Sequence, residues 1–392
     1  MKTLESYSFI RGFNHEPNFF TYTHEEAEKE LGYAKRLGLN SCRLFMSLGF
    51  WQRDKKVFLD KLQDFVRTAW SMGISTMPIL LMPLCFKDRL PSWDVESSNP
   101  GIPSCFLKEN YHISEEFVTD VVNLLKDEPG LLLWDVVNEP IYRNDALTEE
   151  KLQLTIDYLK HFIGLVRKLD PVNALGVGHT LLEDNELGQT AELVDVIMYH
   201  DYLETRSEIE NTCRKALAMS KKYNKPVINN ETGCLCRSNP YDVAIQMANK
   251  YKIGYYLFEL MIPPEGQRWS RVHGIVYPDG TVRDPSIVAA ILGFFRNRNE
   301  TAIYPDVNQE GHADKAIAYA TEMLDRRAPA DELLEAAEYC ANLLETGELV
   351  PMAYPPTAQI EAFRRSEKKD FHAIRAFTYE LIETLRKACE MA

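Results

Sequence analysis

The chain has 392 residues, of which 45% are hydrophobic and 26% charged, and a net charge of −14. This is ordinary globular usage and excludes a long disordered chain. The negative balance argues against a phosphate backbone as partner, so no nucleic acid is expected. The N-terminal MKTLESYSFIRGF lacks an apolar core of signal-peptide length, and no stretch approaches a membrane span. A cytoplasmic location and no membrane partner are therefore expected. The cysteines (Cys42, Cys85, Cys105, Cys213, Cys234, Cys236, Cys340 and Cys389) are scattered, with no CxxC pair. They read as free thiols in a reducing compartment. The CxC of Cys234 and Cys236 is a weak metal signal on its own, and neither a metal nor a cofactor is expected.

In chain order, SYSFIRGFN (6–14) is the first strand candidate, followed by the amphipathic HEEAEKELGYAKRLG (24–38). Thr23 is placed to cap that helix, with Glu26 three residues on as a capping box. LNSCRLFMS (39–47) is the second strand and VFLDKLQDFVRTAWSMG (57–73) a helix closed by glycine. ISTMPILLM (74–82) is the third strand. Residues 83–113 then form an insertion with Phe86, Trp93, Phe106 and several prolines but little periodicity. A loop that long inside a compact domain is usually functional or disordered. Further strands follow at LLLWDVVNE (131–139), NALGVGHT (173–180), VDVIMYHDY (194–202), KPVINNETG (225–233) and IGYYLFELM (253–261). The last has a long successor, PPEGQRWSRVHG (263–274).

Eight buried-type strands, each followed by a helix or long loop, give an α/β class and a (β/α)8 TIM barrel over residues 1–300. A doubly wound open sheet is the alternative, but the glycine fingerprint of a dinucleotide binder is missing. Beyond residue 300, the stretches 313–327, 330–347 and 358–390 read as amphipathic helices separated by proline-containing turns. They are expected as a C-terminal α-helical extension (301–392) packed on the barrel, and are candidates for homo-oligomerisation.

Polar residues at the C-terminal ends of barrel strands converge on one site. Those ends collect Asn14, His15, Arg43, Asn138, Glu139, His179, His200, Tyr202, Glu231 and Glu259. Glu139 ends the fourth strand and Glu231 the seventh, so the two face each other across the mouth. Carboxylates about 5 Å apart suit retaining glycoside hydrolysis, and a gap of ~6.5–9.5 Å suits inversion. Taken singly, Glu139 also reads as a helix N-terminal acid, Arg43 as a structural ion pair and His200 as a core histidine. Asp135 and His179 read as internal hydrogen-bond partners.

WDVVNEP (134–140) and the NETG of residues 230–233 resemble clan A of the glycoside hydrolases, most of all family 5, the cellulase, mannanase and β-mannosidase family. RGFN (11–14), the arginine of LNSCRLF (39–45), the H-x-Y of 200–202 and the ending GIVYPDGTVRDP (274–285) are similar as well. The resemblance covers roughly residues 6–297. It implies a retaining hydrolase of β-linked oligosaccharides or small glycosides, with Glu139 as acid and base and Glu231 as nucleophile. Arg43 and Tyr202 would keep Glu231 ionised, and the site of Glu139 should disfavour ionisation. Asn138 would bind the sugar 2-hydroxyl and His200 would line the same subsite; Asn14 and His15 also stand as substrate-binding candidates.

The chain departs from the family at two points. Phe258 replaces the usual tryptophan near the end of strand eight, with Trp269 or Trp51 as substitute platforms. No histidine ends strand three. Glu259 would bind a sugar hydroxyl or pair with a rim arginine such as Arg268 or Arg271. A β-mannoside or β-glucoside and exo action are the expectation, the latter because the 83–113 loop could close one end of the cleft. A non-catalytic sugar-binding barrel, a transglycosidase and a metal-dependent barrel enzyme are the rivals.

Overall fold

The computed structural model describes residues 3–83, 104–141, 147–235, 241–262, 272–293, 307–346, 356–366 and 369–391. Eight parallel strands close a barrel in sequence order: β1 (Arg11–His15), β2 (Ser41–Leu44), β3 (Ser75–Leu81), β4 (Trp134–Asn138), β5 (Leu175–His179), β6 (Ile197–Asp201), β7 (Val227–Thr232) and β8 (Gly254–Leu257). The α/β barrel class is as expected, and each observed strand falls within or against its predicted stretch. β1 starts later than predicted and runs through His15. Nearly every strand residue is buried, which is why the strands read as apolar runs instead of alternating patterns.

Among the described residues, apolar clusters pack on both sides of the closed sheet. At its N-terminal end, Tyr7, Ile10, Met77, Leu133, Val196, Met198, Ile228 and Tyr256 form one cluster. Outside the sheet, Ile197, Tyr199 and Val227 pack on Ile209, Cys213 and Ala216 of the helix Arg206–Tyr223. That helix opens with a full capping box, Thr205 with Glu208. Thr23 accepts from the Glu26 N–H as predicted, starting the helix His24–Arg36. The helix Lys55–Ser71 begins two residues earlier than expected because Asp54 caps it.

The chain divides into two compact units, Met1–Leu292 and Gly293–Ala392. The second contains helices Val307–Asp325, Ala330–Thr346, Pro356–Arg365 and Phe371–Met391. Its core is built from Leu333, Leu334, Ala337, Cys340, Leu344, Ile374, Ile382 and Leu385. The predicted stretch 358–390 is two helices, because Asp370 accepts from the N–H groups of His372 and Ala373 and starts a new one. Cys42, Cys105, Cys213, Cys234 and Cys340 are free and buried. Among the described residues, no helix is long and apolar enough to cross a membrane.

One position on β5 controls the space inside the barrel. A Cβ on Gly178 would lie 2.6 Å from Asn230 Nδ2 and 2.8 Å from both Arg43 Nη2 and Asp135 Oδ2. Side-chain contacts that short do not occur, so any residue but glycine displaces a buried polar group. Gly178→Ala is expected to cost about 1–3 kcal/mol in urea denaturation, the usual penalty for overpacking. It should also lower any activity that depends on Arg43.

Candidate active site

Arg43 on β2 is the centre of the barrel mouth and is fully buried. Its Nε and Nη2 donate to Asp135 Oδ2 at 2.9 and 2.8 Å. Nη1 donates to Asn14 Oδ1 at 2.9 Å and to Glu231 Oε2 at 2.8 Å, and Nη2 donates to Asn138 Oδ1 at 2.5 Å. Burial works against the cation, but Asp135 and Glu231 outweigh it and raise its pKa. Asp135 is in turn held by the Gly178 N–H (2.9 Å) and Asn230 Nδ2 (3.0 Å).

Simple strand alternation does not produce this set. Asp135 and Asn138 both bond Arg43, although an odd separation along a strand should turn one of them away. Asn230 and Glu231 are consecutive, yet both bond groups inside the barrel. The pairing register slips between Asp135 and Asn138 on β4 and between Asn229 and Thr232 on β7. Such bulges re-aim side chains, and here they bring additional polar groups to the mouth.

Glu231 has both oxygens occupied, Oε2 by Arg43 and Oε1 by Tyr202 Oη at 2.8 Å. Burial, together with the charge of Glu231, pushes the Tyr202 phenol well above its usual value, so it stays a neutral donor. Glu139 directly follows β4 with φ 46°, a left-handed conformation that costs a non-glycine residue energy. Its N–H donates to Gly178 O at 2.7 Å. The Glu139 side chain is 28% exposed and that of Glu231 10%, so Glu139 is the more open of the two.

His200 stands between the two acids. Its Nδ1 is 2.9 Å from Glu139 Oε1 and 3.7 Å from Glu231 Oε2. Against an ionised Glu139, which only accepts, Nδ1 must carry the proton. Burial pushes the Glu139 carboxyl up, but the hydrogen bond and charge of His200, with the charge of Arg43, outweigh it. Glu139 is therefore held below the ordinary carboxylate value. The expectation that its surroundings disfavour ionisation is reversed, because sequence shows a buried strand end and not the imidazole that meets it.

Of the predicted residues, Asn14, Arg43, Asn138, Glu139, His200, Tyr202 and Glu231 converge. His15 does not: its Nε2 bonds Glu30 Oε2 at 2.9 Å and its ring stacks on Phe65, on the helix side of β1. His179 bonds Thr190 Oγ1 at 2.8 Å, and burial lowers its pKa to about 3. Trp51 supplies no platform. It is 2% exposed, donates to Asp120 and packs edge-on against Phe117. Trp269, Arg268, Arg271, Cys236 and most of the 83–113 insertion lie outside the described residues.

Phe258 is at the mouth, packed on Phe45, Ile79 and Met82. Met82 directly follows β3. The Phe258–Glu259 peptide is cis. His273 was not a sequence candidate, yet its ring lies edge-on to Phe258 at 5.0 Å and to Tyr202 at 5.7 Å, with Nδ1 bonded to Gly233 O at 3.0 Å. Its only sequence signal is its place just before GIVYPDGTVRDP. Asn230 was missed because the bulge that turns it inward has no local signature.

Glu139, His200 and Glu231 each bring a ligand atom within 4.8 Å of the other two, a spacing that a small cation could bridge. Arg43 already supplies positive charge to Glu231 there, so a cation would compete with it.

No protein-family model and no curated protein matches the sequence. Solved structures do match. An endo-1,4-β-mannanase from Rhizomucor miehei is 15% identical, with a TM-score of 0.57 over 72% of this chain and 92% of that one. A GH5_18 protein from Streptomyces cattleya, solved with GlcNAc, is 14% identical, with a TM-score of 0.58 over 74% and 80%. An exo-β-1,4-mannosidase from an Opitutaceae bacterium is 15% identical, with a TM-score of 0.57 over 81% and 67%. At such identities the likeness concerns the fold, the closed eight-stranded parallel barrel that this chain shares with these glycoside hydrolase structures.

Proposed function

We propose that this protein is a retaining β-glycoside hydrolase acting by double displacement. The observation that carries the reading is the spacing of Glu139 and Glu231, an oxygen of each lying within 4.8 Å of the other. Retaining enzymes hold their carboxyl groups about 5–5.5 Å apart, whereas inverting ones leave room for a water at about 6.5–9.5 Å. A β-linked mannoside is the favoured substrate, with a β-glucoside second. The mannanases and the exo-mannosidase among the structural neighbours support that order. Exo action rests on the length of the 83–113 insertion in the sequence and on an exo-acting structural neighbour.

In the first step Glu231 attacks the anomeric carbon as the carbon–oxygen bond to the leaving group breaks, and Glu139 gives its proton to the departing oxygen. The product is a glycosyl ester on Glu231. In the second step Glu139, now a carboxylate, takes a proton from water. The water oxygen displaces the ester and restores Glu231. Arg43 occupies Asn138 Oδ1, which leaves Nδ2 as the group for the sugar 2-hydroxyl. Phe258, Phe45 and Met82 offer the apolar shelf beneath the ring. A transglycosidase would use the same residues with a sugar in place of water. The non-catalytic reading is disfavoured because both acids are present and each has its partners.

Glu231→Ala is expected to abolish hydrolysis of aryl β-glycosides, and azide should restore turnover with a glycosyl azide of inverted anomeric configuration. Azide that rescues nothing on a substrate the wild type cleaves counts against Glu231 as nucleophile. Glu139→Ala should lose on the order of 10²–10⁴-fold on poor leaving groups and far less on activated ones, as removal of a general acid does.

The pH profile follows from Glu139 being held below its ordinary value. The first step needs it protonated, so kcat/KM should fall as pH rises out of the acid range. In His200→Ala the lowering partner is gone and burial dominates. The alkaline limb should then move to higher pH, measured as log kcat/KM against pH. A limb that stays in place would show that His200 does not set it.

A further inference from the structure

Glu259 follows β8 and takes no part in the chemistry described. Its backbone is pinned on several sides: Tyr241 Oη donates to Phe258 O at 2.5 Å, Ile275 N–H to Glu259 O at 3.0 Å and Leu260 N–H to Asn14 O at 2.9 Å. Its side chain is therefore aimed from a fixed base. Among the described residues, Glu259 Oε1 is buried and has no hydrogen-bond partner. A buried polar atom left unmatched is costly and calls for a physical reason.

β8 lies directly across the barrel from β4, which carries Asn138, and beside β7, which carries Glu231. A sugar with its anomeric carbon on Glu231 and its 2-hydroxyl toward Asn138 turns its opposite edge, carbons 4 and 6, toward β8. We propose that Glu259 is a specificity-determining residue that binds the 4- or 6-hydroxyl of that sugar, an inference that rests on the glycosidase reading above.

Burial beside Glu16 and Glu231 pushes the Glu259 carboxyl up to about 8. At neutral pH it is a carboxylic acid with one O–H to donate and oxygens that accept. Among the described residues, the other ionisable groups around it are Tyr241, whose phenol burial raises, His273 against the Phe258 ring, and Arg283, which donates to His273 O at 2.5 Å. Above pH about 8 the donor is lost.

The test uses the full chain and 2,4-dinitrophenyl β-mannoside, β-glucoside, β-galactoside and β-xyloside, whose leaving group needs little acid assistance. Glu259→Leu removes the hydrogen bond, and Glu259→Gln keeps a donor of similar shape that cannot ionise. Glu259→Leu is expected to lose roughly 10–100-fold in kcat/KM on the best hexoside, the range for leaving one polar partner unmatched. It should lose much less on the galactoside, whose 4-hydroxyl is inverted, or on the xyloside, which lacks carbon 6, so discrimination collapses. Glu259→Gln should recover most of it, and its KM should stay flat where the wild-type KM rises above pH about 8. An equal loss on all four glycosides, or none, overturns the proposal even with the glycosidase reading intact. A wild type inactive on all four overturns that reading and this one with it.

Discussion

The buried guanidinium of Arg43 is the interaction on which the rest of the site depends. It is fully enclosed, and it binds groups from β1, β4 and β7 while standing on β2. Removing a cation from water costs several kcal/mol, and only near-ideal pairing offsets that. Two carboxylates and two amide oxygens supply the pairing. The residues facing Arg43 cannot be changed independently, because each one lost leaves a buried charge short of a partner. The same bonds that satisfy Arg43 set the positions of Glu231 and Asn138, so electrostatic necessity and catalytic geometry are one arrangement.

His200 adds the second constraint. A single ring nitrogen lies within reach of both acids, closer to Glu139 than to Glu231. It ties the two carboxyl groups together electrically, and a change of charge on one is felt by the other. In the proposed double displacement, Glu231 loses its negative charge on becoming an ester, and the positive groups around it then favour an ionised Glu139 more strongly. That is the form the second step requires.

Much of the fold was legible in the sequence because buried parallel strands print themselves as apolar runs. β4, with three leucines before its first residue Trp134, Asn138 at its end and Glu139 next, is the clearest case. The site was legible wherever a polar residue ended such a run. The rest depended on features that no residue announces. Alternation makes neighbours point apart, so nothing in Asn230-Glu231 says that both turn inward; a register slip against β8 does that. His15 sits beside Asn14, and one pleat decides that it meets Glu30 instead of a substrate. Trp51 is a large aromatic near a strand end, but the helix it belongs to buries it. Glu139 looked like an acid kept neutral by burial until its partner was known, and partners are set by tertiary contact.

Gly178 gives the arrangement a further meaning. Asn14, Asp135, Asn138 and Glu231 each bond Arg43 through a side chain, whereas β5 contributes an absence, and its neighbours close to within 2.8 Å of where a methyl group would be. One strand of the barrel is thus given over to vacancy at the level of the charge network. The Arg43 guanidinium has its room beside β5 because Gly178 carries no side chain. The repertoire of sites such a scaffold can host is therefore set partly by which strand goes without a side chain, and not only by which residues are present.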